Sequence, residues 1–121
     1  MAKMISFYRD VLGFEIKEQL DADNVYLIKD GTLFLFYGRK DFEKMTSRTF
    51  NYADGIQAHF EVALYVDAFE EVDKTYNEII SKGAVSVMVP TTEPWGQRTC
   101  VVADPEGNII EKGSFNKPFE H

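Results

Sequence analysis

The residues best suited to chemistry in this chain are two carboxylates and a histidine set in short extended runs. In the segment 59 to 66, Phe60, Val62, Leu64 and Val66 alternate with His59, Glu61, Ala63 and Tyr65. Successive side chains of a strand point to opposite faces, so the second group shares one side. A later run, Ile109-Ile110-Glu111, puts Ile109 and Glu111 together and Ile110 opposite. If the apolar faces pack on helices, Glu61 and Glu111 converge, with His59 a near neighbour. A buried, unpaired carboxylate is costly. Only if it is desolvated beside Glu111 would Glu61 have a raised pKa suited to general-base work.

Other side chains could bind rather than react. Trp95, in Pro94-Trp95-Gly96, is either a stacking wall for a flat ligand or a large aromatic closing a rim. Arg98 could hold a carboxylate or phosphate, although a salt bridge to Glu111 or Glu61 is the plainer role. Cys100 reads as a small core or cleft-lining residue, since Arg98 two positions away is only a hint of the cation a reactive thiol needs. Tyr65 and Phe36 complete the candidate ligand-binding set with His59. Phe36 lies in the apolar run 32 to 37, one face of which must line any cleft. No nucleophile–base constellation and no phosphate-cradling glycine loop is visible.

The elements that must position these residues are legible from periodicity. Phe69, Val72, Tyr76, Ile79 and Ile80 predict a helix over about 67–82, with Asp67 and Glu70 at capping-box spacing and Gly83 as its stop. Met4, Ile5, Tyr8, Val11 and Leu12 predict another over 2–11, ended by Gly13. Strands are expected at about 14–20, 24–29 and 32–37, then 58–66, 84–89, 98–103 and 108–113. Lys29-Asp30-Gly31 and Asp104 to Gly107 read as matching hairpin turns. The order α-β-β-β, β-α-β-β-β is a tandem repeat whose first copy lacks its opening strand. We read one domain with module 1 at about 1–37, module 2 at about 58–113 and a polar tail at 114–121. Residues 38–57 show little periodicity and are expected to lack regular structure, as a linker in the first instance or otherwise a binding loop.

Bulk properties narrow the function classes. The chain has 121 residues, 45% of them hydrophobic and 27% charged, which is ordinary for a soluble globular protein. No apolar window is long enough to span a bilayer, and no cleavable signal is apparent, so no membrane partner is expected. A single cysteine excludes an internal disulfide and fits a reducing, cytoplasmic setting. A net charge of -7 without a basic face argues against nucleic acid.

Taken in order, Phe7-Tyr8-Arg9-Asp10-Val11-Leu12-Gly13-Phe14, Pro94-Trp95-Gly96, Asp104-Pro105-Glu106-Gly107-Asn108 and Glu111, set around the paired βαβββ pattern, resemble the vicinal oxygen chelate superfamily. That superfamily includes glyoxalase I, the bleomycin resistance proteins and extradiol dioxygenases. The resemblance implies an α+β fold in which each module curls its sheet into a half-barrel around a cleft, usually completed across a dimer. It also implies that Glu111 and Glu61 stand where metal-dependent members keep ligands. The closing strand of module 1 offers no carboxylate, imidazole or thiol, and a catalytic metal wants three or four protein ligands. The expectation is therefore a protein that binds a small aromatic or cationic molecule without a permanent metal. The alternative is a glyoxalase-like lyase or isomerase holding zinc, nickel, manganese or iron through Glu61, Glu111 and, if needed, His59. A third reading is an accessory protein acting through association. The missing opening strand leaves a sheet edge that predicts a homodimer, unless translation starts upstream.

Overall fold

A computed structural model describes Met1 to Lys117, so residues 118–121 of the expected tail lie outside the described residues. The chain divides into two compact units, the first running from Met1 to Ala53 and the second from Asp54 onward. The class is mixed α+β, as the alternating periodicities predict.

The first unit opens with a helix, α1 (Ala2–Ser6), that widens into a π-helical turn over Phe7–Val11. Leu12 donates to the Phe7 carbonyl five residues back, at 3.2 Å. Three antiparallel strands follow: β1 (Glu15–Gln19), β2 (Val25–Lys29) and β3 (Thr32–Phe36), in the order β1-β2-β3. The turn between β2 and β3 sets Asp30 and Gly31 both at positive φ (50° and 79°), the twist a two-residue hairpin requires. The core of this unit is aromatic. The Tyr8 ring lies 5.2 Å from Phe14 and 4.7 Å from Phe36, and Phe14 lies 5.0 Å from Phe34.

The segment 38–57 departs from the expected linker: it carries a helix, α2 (Arg39–Thr46). Its apolar residues meet partners that local periodicity does not reveal. Phe42 packs against Tyr37 and Phe50, and the Arg39 guanidinium sits 4.3 Å above the Tyr52 ring. The buried Asn24 side chain ties the start of this helix to the β1–β2 turn. It accepts from the Gly38 amide and donates to Asp41, each at 2.8 Å.

The second unit contains β4 (Gln57–Tyr65), α3 (Phe69–Ser81), β5 (Val85–Thr92), β6 (Arg98–Ala103) and β7 (Asn108–Ser114). Its sheet runs β4-β7-β6-β5, with β4 parallel to β7 and the other pairs antiparallel. Helix α3 covers one side of this sheet, and Val72 and Ile79 of the helix are buried, as are Cys100, Val102 and Ile110 of β6 and β7. The expected Asp67–Glu70 capping box does not form. Ala68 is the N-cap residue, without a side-chain cap, and the Asn116 side chain accepts the Phe69 amide at 3.2 Å instead. Sequence proximity suggested a local cap, but the tail after β7 supplies a distant one. Comparison of the units also locates the shortfall in the repeat. β7 has β4 as its parallel neighbour, whereas β3, its counterpart, has none among the described residues.

Candidate functional site

The face of the second sheet turned away from α3 gathers the candidate residues. Register places Glu61 beside Ile109, Ala63 beside Glu111 and Tyr65 beside Gly113. On the other flank of β7, Val101 pairs with Glu111 and Thr99 with Gly113. Glu61 and Glu111 are therefore diagonal neighbours on one face, as strand alternation predicts. Ile110, between Ile109 and Glu111, is buried in the core on the α3 side.

Glu111 is half-buried, and burial pushes its carboxyl above the usual carboxylate range. The Glu61 charge adds to this, the Thr99 hydroxyl opposes it, and the Glu93 charge adds a further push. A carboxyl so placed is a better proton acceptor than an exposed one.

The register puts Glu61, Glu111 and Tyr65 on one face, but Glu61 is exposed rather than buried as expected, because it lies on β4, whose only neighbour in the sheet among the described residues is β7. His59 is exposed in the part of β4 where the ladder with β7 is irregular, between Gln57 and Glu61. In the same stretch Phe60 is 72% exposed, so it does not join the Val62–Leu64 face as alternation predicts. The irregular register breaks the period of two.

Arg98 bonds neither Glu111 nor Glu61. It faces α3, where its Nε and Nη2 donate to Asp73 at 2.8 and 2.7 Å and its Nη1 to Thr92 at 2.9 Å. Positions 98, 100 and 102 share that side, so Cys100 is fully buried there, paired with Lys112. Burial pushes its thiol up to about 11, too high for a thiolate at neutral pH. Phe36 lies in the other unit, packed edge-on against Tyr8. Trp95 is 66% exposed, with its indole N–H donating to Gln97 Oε1 at 3.0 Å.

Three participants escape the sequence reading. Glu93 reaches Glu111 through space, Thr99 stands on the same face, and Gln97 is buried although it lies in a turn. Parity along residues 98–103 would have found Thr99, but nothing local marks Gln97. Among the described residues no group of three or more His, Cys, Asp or Glu side chains is gathered to hold a metal ion. Glu61 and Glu111 offer two donors on this face, which does not complete a catalytic metal shell. No helix of the described residues is long and apolar enough to cross a membrane.

Comparisons with known proteins agree with this architecture. A crystal structure described as a glyoxalase/bleomycin resistance protein/dioxygenase family enzyme from Burkholderia phytofirmans PsJN is 26% identical, with TM-score 0.81, covering 94% of this chain and 89% of that one. A glyoxalase-related enzyme from Fulvimarina pelagi superposes at TM-score 0.81 with 18% identity, over 94% and 79% of the two chains. The lactoylglutathione lyase of Agrobacterium tumefaciens gives TM-score 0.75 at 21% identity, over 93% and 84%. No curated protein matches the chain. The sequence profile of the glyoxalase/bleomycin resistance protein/dioxygenase superfamily matches residues 1–111, and the chain belongs to that superfamily.

Proposed function

We propose that this protein binds a small molecule, aromatic or cationic, on the face of the second sheet that carries Glu61, Glu111 and Tyr65, without a resident metal. The observation that carries the reading is the electrostatic situation of Glu111. A part-buried carboxyl with another carboxylate beside it is an unfavourable arrangement that a bound cation relieves. Trp95, exposed, and Tyr65 supply flat apolar surface for a ring. Arg98 and Cys100 take no part in this reading, because both serve the α3 side. We place the protein in the cytoplasm, as a homodimer that uses the free edge of β3. A monomeric mass by light scattering at micromolar concentration would remove the dimer.

The test is calorimetry with benzamidinium, which joins a ring to a positive charge, beside neutral benzamide. We expect binding of benzamidinium that weakens in Glu111→Gln; no heat from either compound at millimolar concentration overturns the reading. A second reading rests on the same diagonal placement of Glu61 and Glu111: a metal-dependent lyase or isomerase. It requires donors beyond those two carboxylates, and no step through a metal follows from the residues present. Elemental analysis after equilibration with nickel, zinc, manganese and iron(II), then dialysis, separates the two. Near-stoichiometric retention of one metal would favour the lyase.

A further inference from the structure

The only tryptophan of the chain stands in a tight turn. The Glu93 amide donates to the Gln97 carbonyl at 2.7 Å, and the Gly96 amide to the Glu93 carbonyl at 3.0 Å. Trp95, at the tip, is exposed, yet its indole N–H is tethered to the side chain of Gln97, which is only 7% exposed. The other end of that amide reaches the sheet. A Cβ built on Gly113 would stand 2.8 Å from Gln97 Nε2 and 3.5 Å from Thr99 Oγ1. The missing side chain at position 113 is the room in which the Gln97 amide lies. Gly113 is the register partner of Tyr65 and Thr99, two residues beyond Glu111 on the same face. One buried amide therefore links an exposed indole to the strand that carries Glu111.

We infer that Gln97 is a positioning residue for the binding face, holding the Trp95 ring in one orientation before a ligand arrives. The inference rests on the reading of that face given above. An exposed indole ordinarily samples several rotamers, and ordering it on binding costs affinity. A hydrogen bond to a buried anchor removes that freedom in advance. The same turn carries Glu93, whose charge reaches Glu111. The turn thus presents a fixed ring and a negative charge to one molecule, and selects ligands that join a planar ring to a cation.

Because Trp95 is the single tryptophan, its fluorescence reports on this arrangement alone. The experiment compares Gln97→Met, which keeps length but loses both hydrogen-bonding ends, with Gly113→Ala, which displaces the amide from the strand side. Time-resolved anisotropy of the ligand-free protein should show a larger fast component in both. Benzamidinium affinity by calorimetry should fall roughly two- to tenfold, the effect of having to immobilise one side chain. In a Trp95→Phe background, which keeps a ring without the N–H, Gln97→Met should add nothing further. Unchanged anisotropy in both variants overturns the inference, as does altered anisotropy with unchanged affinity; in either case the reading of the face stands. If the parent protein binds neither benzamidinium nor benzamide, the reading itself is overturned and the inference falls with it.

Discussion

Arg98 grips Asp73 of α3 through two parallel hydrogen bonds, at 2.8 and 2.7 Å, and so points away from Glu111. This pairing decides the character of the opposite face. The cation that could have neutralised Glu111 and Glu61 is spent on the helix side, which leaves the carboxylates of the other side facing one another. The pair also fastens α3 to β6 at a partly exposed site, where such contacts contribute modestly.

Asp73→Asn should therefore destabilise the protein by roughly 0.2–1 kcal/mol at neutral pH. The Arg98 hydrogen bonds hold the Asp73 carboxyl below its ordinary value of 3.8. A depressed folded-state pKa gives stability that is present above the ordinary value and lost as pH falls through the folded one. The gap between parent and variant should thus close on acidification below about pH 4. Urea titrations at several pH values check this, and a gap that persists at acid pH would refute it.

Glu111 carries the opposite sign. Its carboxyl is pushed above the ordinary value of 4.5 by burial and by Glu61. The folded state then holds the proton more tightly, so stability declines as pH rises from the ordinary value through the folded one. Glu111→Gln should raise the melting temperature at pH 7 by a few degrees and leave it unchanged at low pH. In Glu61→Gln the Glu111 carboxyl should titrate lower, which carbon-13 NMR of the side chain reads directly.

Gly107 is irreplaceable in a way that Gly31 is not. It sits at φ 85°, and a Cβ there would run into the Gly55 carbonyl, while the Gly107 carbonyl accepts the Gln57 amide at 2.8 Å. Around Gly31 nothing lies within 4 Å. Gly107→Ala should cost about 2–4 kcal/mol, combining positive-φ strain with displaced backbone, whereas Gly31→Asn should cost less than about 1 kcal/mol. Equal costs in thermal unfolding would contradict the close approach.

The distant cap on α3 predicts a long-range effect. Asn116→Ala should lose about 1 kcal/mol for the helix cap and a further amount because position 116 sits at φ 61°, where Ala is strained. Asp67→Ala, which removes no capping bond, should change stability by less than about 0.5 kcal/mol. Ser114→Ala should act in the same direction as Asn116→Ala, because the Ser114 hydroxyl donates to the Asp67 carbonyl and accepts the Asn116 amide, each at 2.9 Å. Chemical denaturation of the three variants ranks them.

Much of the architecture was present in the chain order. The 3.6-residue period of Phe69 to Ile80 marked α3, the period of two marked the strands, and Asp30-Gly31 and Asp104 to Gly107 marked the turns. Each is a local signal, fixed by the backbone geometry available to the residues themselves. The motif order also carried the family. What failed were readings that required knowing a partner far away in sequence. Helix α2 is held by Phe50, Tyr52 and Asn24, so residues 38–46 alone show no stripe. The cap of α3 comes from Asn116, and Phe60 leaves the core because the β4 ladder with β7 is irregular before Glu61.

For the site, the sequence by itself determined which residues share a face within each strand, because alternation is a property of the backbone, and the pairing of β4 with β7 then put Glu61 and Glu111 on one face. Only the tertiary structure decided where Arg98 spends its charge, that Glu111 rather than Glu61 is the half-buried carboxyl, and that Gln97 lies close against Gly113 with Trp95 bonded to it. Those outcomes depend on which strands become neighbours and on how deeply each side chain is buried once they do. Neither quantity is written in the spacing of residues along the chain.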